Sequence, residues 1–175
     1  MTTTTAPAAA PPLRRLYFVR FGFALLWAAA LFVTASSIGP VSATLLVVYP
    51  LFDAAAAVVD ARSSRATPGL YATIAISGIA AVGLVVAVMS GIPEVLRVWG
   101  AWAVAAGVVQ LVVALRRREL GGQWALVASG AISTIAGISF VLQAAGSDPS
   151  LTSLAGYALL GGIFFLVSAL RLRQN

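Results

Sequence analysis

Cysteine, histidine and lysine are all missing from this 175-residue chain. Without cysteine there are no disulfides, no thiolate chemistry and no c-type haem attachment. Without histidine, the usual zinc sites and every catalytic triad or dyad built on imidazole are excluded. Charge is scarce too. Only 9% of the residues are charged, against roughly a quarter in a water-soluble globular domain. The positive charges are all arginine and leave a net +6. Arginines this sparse form no soluble basic face, so a nucleic-acid partner is not expected. No metal cluster, phosphate loop or nucleophile–base set is present. No catalytic residue, metal or cofactor is therefore assigned, and the expectation is a protein that is not an enzyme.

What the chain does have is apolar surface. Sixty-one per cent of the residues are hydrophobic (61%), and the mean hydropathy is +1.00. That composition belongs to an integral membrane protein. A membrane helix needs about 20 mostly apolar residues, and six such stretches fit between the charges, at 17–38, 42–61, 70–90, 96–115, 123–144 and 151–170. The links are helix punctuation. Gly39-Pro40, Thr67-Pro68, Ile92-Pro93 and Asp148-Pro149 place proline where a helix begins, since its missing N–H costs nothing there. Thr67 and Asp148 read as N-caps, Glu94 as a first-turn acid facing the helix dipole, and Gly121-Gly122 as the stop of the fourth span.

Arginine position sets the orientation. Arg14, Arg15, Arg62, Arg65, Arg116, Arg117, Arg118, Arg171 and Arg173 all fall at one end of the spans, and only Arg97 at the other. By the positive-inside rule both termini lie in the cytoplasm. Residues 1–15 read as a disordered tail of threonine, alanine and proline. A cleaved signal peptide is the competing reading, but the apolar run after Arg14-Arg15 is too long for a signal core. Residues 16–175 form the membrane domain. The lysine-free, alanine- and arginine-rich usage points to a high-GC bacterial genome.

The even-numbered spans align. Tyr49, Trp102 and Tyr157 superpose, followed about a turn later by Asp53, Ala106 and Gly161, then Ala54, Gly107 and Gly162, and then an apolar run into arginine. Ser77-Gly78 and Ser129-Gly130 echo each other on odd spans. A unit near 50 residues that carries a helical hairpin is the organising repeat. The hairpins cover about 16–62, 68–118 and 121–173. All three start at the same end, so they are parallel repeats and not the inverted ones common in alternating-access carriers. The expected fold is an all-α integral membrane bundle of six transmembrane helices with pseudo-threefold symmetry.

Repeats with Tyr49-Pro50-Leu51-Phe52-Asp53-Ala54, Gly100-Ala101-Trp102-Ala103-Val104-Ala105-Ala106-Gly107 and Gly156-Tyr157-Ala158-Leu159-Leu160-Gly161-Gly162 resemble the HdeD-like acid-resistance membrane proteins. The resemblance covers nearly the whole chain after residue 15. It implies six spans in a bacterial inner (plasma) membrane and a link to acid or general stress tolerance, with no established chemistry. Only Asp53 keeps the acidic residue that the family's repeats often show before the small one.

Asp53 lies midway along the second span, where an ionised carboxylate costs several kcal/mol unless paired, hydrated or protonated. Two readings stay open. It is a proton or cation site, or it fixes packing against Ser133 or Thr134 of the fifth span, with Pro50 freeing a carbonyl one turn earlier. Asp60 is seven residues on and so on the same face. Arg20 lies at the depth of Asp60, so an Arg20–Asp60 pair is the simplest assignment. Glu94 and Arg97 form an exposed helix-end pair. Arg116, Arg117 and Arg118 read as a topology anchor, with anionic lipid head groups as the alternative.

Ser129, Ser133 and Gly137, Ala54 to Ala57 and Gly161-Gly162 are stripes of small residues that let helices approach closely. They serve packing within the chain, or contact with a second copy or another membrane protein. Trp27, Trp99, Trp102 and Trp124 read as interfacial anchors, and Gln110 as a helix–helix hydrogen bond.

Three functions are weighed. The first is a non-enzymatic, stress-associated membrane protein whose partner is the lipid bilayer. The second is a small proton or cation channel or carrier that uses Asp53. The third, a lipid-modifying enzyme, fits least, because Asp53 and Asp60 are the only acid pair in the spans and stand ~10 Å apart along the helix.

Overall fold

The computed structural model describes residues 10–63, 67–116 and 124–171. Six helices follow one another: α1 (Ala10–Thr34), α2 (Pro40–Ser63), α3 (Pro68–Ser90), α4 (Ile92–Arg116), α5 (Trp124–Ala144) and α6 (Thr152–Arg171). No strand occurs among the described residues. All six are long and apolar enough to cross a membrane, with mean hydropathies between 1.7 and 2.4. Large apolar side chains such as Leu26, Val33, Val82, Met89, Ile135 and Leu142 face outward, which suits a lipid surround. The chain is a multi-pass membrane protein.

The punctuation explains most helix ends. Pro40 opens α2, and the buried Ser42 hydroxyl ties its start by accepting from the Gly39 N–H at 2.8 Å and donating to Ser37 O at 2.9 Å. Pro68 opens α3 after Thr67, whose side chain makes no capping bond. Gly91 ends α3 at φ +116, where a side chain is strained, and its N–H donates to Ala87 O at 3.2 Å. The last helix departs from expectation. It begins at Thr152, whose N–H donates to Ser150 Oγ at 3.2 Å, so Ser150 does the work expected of Asp148. At the other end, α1 starts at Ala10, so the tail expected over 1–15 is helical from that residue on. Residues 1–9 and the Gly121-Gly122 stop lie outside the described residues.

The helices close into a ring in chain order, with α6 returning to α1. The most extensive contacts are α4·α5, α6·α1 and α2·α3, which join different hairpins, while the two helices within a hairpin touch less and α5 and α6 least. Small residues are the cause. A Cβ at Gly107 would stand 2.6 Å from Gly130 O, and one at Gly162 would meet the Ala24 methyl at 3.1 Å. Of the small residues expected to pack helices, Gly137 and Gly162 sit at such approaches, whereas a Cβ at Gly161 would meet nothing within 4 Å.

Burial is uneven along the membrane normal. The hydrophobic cluster contains Trp27, Leu31, Leu46, Leu84, Val95, Leu96, Trp99, Trp102, Phe140, Leu151 and Leu154. Leu151 directly precedes α6, and every other one falls in the half of its helix remote from the arginine-rich ends. In the arginine-rich half the buried residues are small, including Ala57, Ser77, Gly107, Ala114, Gly130, Ser133 and Ala169. One half of the bundle is thus filled by large side chains, and the other is held by close helix contacts around polar groups.

Candidate functional site

Arg20 on α1 and Asp53 on α2 meet at the boundary between these halves. Arg20 Nη2 donates to Asp53 Oδ1 in a side-chain ion pair. The second carboxylate oxygen, Oδ2, accepts from Ser77 Oγ of α3 at 2.9 Å. Ser77 Oγ in turn accepts from Trp102 Nε1 of α4 at 3.1 Å. The Arg20 guanidinium lies over the Phe165 ring of α6, its Cζ 4.1 Å from the centroid. Five of the six helices therefore contribute to one charge cluster. The side chains of Arg20 and Asp53 are 12% and 19% exposed.

The pairing differs from the expected Arg20–Asp60. Asp53 is deep in the span, where an uncompensated carboxylate is most costly, and Arg20 goes there. Asp60 sits near the end of α2, is itself partnered, and lies within electrostatic range of Tyr17. Nor does Asp53 meet Ser133 or Thr134. Ser133 Oγ accepts from the Tyr157 hydroxyl at 3.0 Å. Thr134 Oγ1 donates to Gly130 O in its own helix at 2.9 Å, as mid-helix threonines commonly do.

Two of these bonds are alike in position. Trp102 reaches Ser77 across 25 residues and Tyr157 reaches Ser133 across 24. In each case an aromatic of an even helix bonds a serine on the helix before it. In the first hairpin the aligned aromatic, Tyr49, packs against Trp27 at 4.6 Å between centroids, and it is Trp27 that hydrogen-bonds, to Leu45 O at 2.7 Å. Tyr49 and Tyr157 both lie within electrostatic range of Asp53.

The tryptophans are mostly not interfacial anchors. Trp27, Trp99 and Trp102 are buried and pack edge-on or tilted against Tyr49 at centroid distances of 4.6 to 6.0 Å. Their rings fill the centre of the ring of helices, which burial rewards more than a place at the interface. Trp124 alone is exposed, at 58%, and Arg171 lies 4.6 Å over its ring. The Gln110 side-chain oxygen, expected in a helix–helix hydrogen bond, is buried and has no partner among the described residues. Glu94 and Arg97 do pair, on an exposed face. Ser77 and Phe165 were not legible as site residues, although Ser77 is placed relative to Trp102 much as Ser133 is to Tyr157.

One further feature lies on the face of α6 that carries Phe165. Gly161 lies four residues from Tyr157 and four from Phe165, and so on the same face of α6. The space in front of it is open to at least 4 Å. Among the described residues no three of histidine, cysteine, aspartate and glutamate come together to hold a metal. Comparison with protein-family models, with curated proteins and with solved structures finds no match to this chain.

Proposed function

We propose that this chain is a non-enzymatic, multi-pass membrane protein in which the Arg20–Asp53 pair is a structural tie within the first hairpin that reaches the other two through Ser77 and Phe165. The observation that carries the reading is that both Asp53 oxygens are engaged: one takes the guanidinium and the other takes the Ser77 hydroxyl. A proton site must lose and regain its partner in each cycle. A paired carboxylate with a second hydrogen bond resists that, and breaking such a pair in a low-dielectric interior is costly. On the resemblance set out above, the physiological setting is acid or general stress tolerance at a bacterial inner membrane, with both termini cytoplasmic. The pseudo-threefold arrangement belongs to the same reading, and the like placement of Trp102–Ser77 and Tyr157–Ser133 supports it.

The test is proton flux. Wild-type protein and Asp53→Asn are reconstituted into liposomes, and decay of an imposed pH gradient is followed. The expected result is no flux above empty liposomes in either. Flux in the wild type that Asp53→Asn abolishes overturns the reading and establishes the second one, a proton or cation path through Asp53. That alternative draws on one observation, a carboxylate within the span that keeps 19% of its exposure.

A further inference from the structure

The groove between α3 and α4 at the arginine-rich end is distinct from the charge cluster. Its volume is about 270 Å³. One wall is a column on α4, Val108, Val112 and Arg116, spaced four residues apart and so on one face. Two exposed valines lead to an exposed guanidinium. From Val108 to Arg116 the column spans about 12 Å along the helix. The facing wall on α3 is Ala72 and Gly69, both small. A Cβ at Gly69 would stand 2.8 Å from Val113 Cγ2, so the two helices approach closely there.

We infer that this groove holds one acidic phospholipid, its acyl chain along Val108, Val112 and Ala72 and its phosphate against Arg116. The polarity of the column is the argument. It runs from apolar inside the span to cationic at the span's end, matching a lipid's order of tail and head group. The sequence continues from Arg116 directly into Arg117 and Arg118, and cations clustered beside a span select anionic over zwitterionic head groups.

The test uses the full chain purified in mild detergent and offered equal amounts of phosphatidylglycerol and phosphatidylcholine with matched acyl chains. Bound lipid is counted by native mass spectrometry. The wild type retains one phosphatidylglycerol in preference. Arg116→Gln lowers that preference about fivefold and leaves phosphatidylcholine retention unchanged, whereas Arg97→Gln at the opposite end changes neither. Ala72→Phe fills the groove and removes the retained lipid. Should that variant misfold by circular dichroism, Arg116→Gln decides alone. Equal retention of the two lipids by the wild type, an undiminished preference in Arg116→Gln, displacement by millimolar inorganic phosphate, or a dimer in place of a lipid-bound monomer each overturns the inference.

Discussion

Gly100 and Gly137 each occupy the space the other's side chain would need: a Cβ on either would stand 2.6 Å from the other's carbonyl oxygen. Seven residues along both helices, Gly107 and Gly130 repeat the arrangement, with a Cβ at Gly130 falling 2.9 Å from Gly107 O. Because the obstacle is backbone on both sides, no rotamer change relieves it. Gly100→Ala and Gly137→Ala should each lower stability by about 1–3 kcal/mol, the range of an overpacked core. Gly161→Ala is the control. Its methyl enters open space and gains helix propensity, so stability is unchanged or rises by about 0.5–1 kcal/mol. Thermal unfolding in detergent separates the two classes. Equal effects at Gly137 and Gly161 contradict the close approach.

The Arg20–Asp53 pair makes a second prediction, about the sign of combined substitutions. Removing one partner leaves a charge stranded in the span, at a cost of about 3–5 kcal/mol. Removing both, as in Arg20→Met with Asp53→Leu, leaves no charge to solvate and should recover most of that loss. The coupling belongs to Asp53. The same cycle run with Arg20 and Asp60, which both act on Tyr17, should give a coupling well below that of Arg20 with Asp53.

Ser77 serves two neighbours at once, accepting from Trp102 and donating to Asp53. Ser77→Ala therefore orphans a buried indole N–H and removes a charge-assisted bond, and should cost about 1–3 kcal/mol. Trp102→Phe combined with Ser77→Ala should cost less than the sum of the singles, since the orphaned donor goes with the ring. Chemical unfolding of the four proteins in one detergent measures this, and strict additivity would show the bond to be idle.

The six spans and their punctuation were legible because they depend on composition and on local chemistry. Pro40, Pro68 and Gly91 act through their own backbone, wherever the helix later packs. The partner of Arg20 was not legible in the same way. Asp53 and Asp60 share one helix face, and the position of Arg20 along its span pointed to Asp60. The choice turns on depth, which favours the acid that loses most by staying unpaired. Ser133 and Thr134 have the right depth for Asp53, but nearer partners in Tyr157 and Gly130 already satisfy them. The tryptophans misled because position near a span's end was weighed without azimuth. Trp27 and Trp99 point into the ring of helices, and inward burial of an indole outweighs its preference for the interface.

The native absence of cysteine makes orientation directly testable, because any introduced thiol is the only one. Ser36 and Ser147 are exposed in the links after α1 and α5, at the end of the bundle that carries Glu94 and Arg97. Arg62 is exposed at the opposite end, as is Arg171. If arginine distribution governs insertion, Ser36→Cys and Ser147→Cys react with a membrane-impermeant maleimide in intact cells whose outer barrier has been opened. Arg62→Cys reacts only in inverted vesicles. The opposite pattern would place the arginine-rich ends outside and invert the bundle. A mixture at a single position would mean that the chain inserts both ways, and the net +6 charge, concentrated at one end of the spans, argues against that outcome.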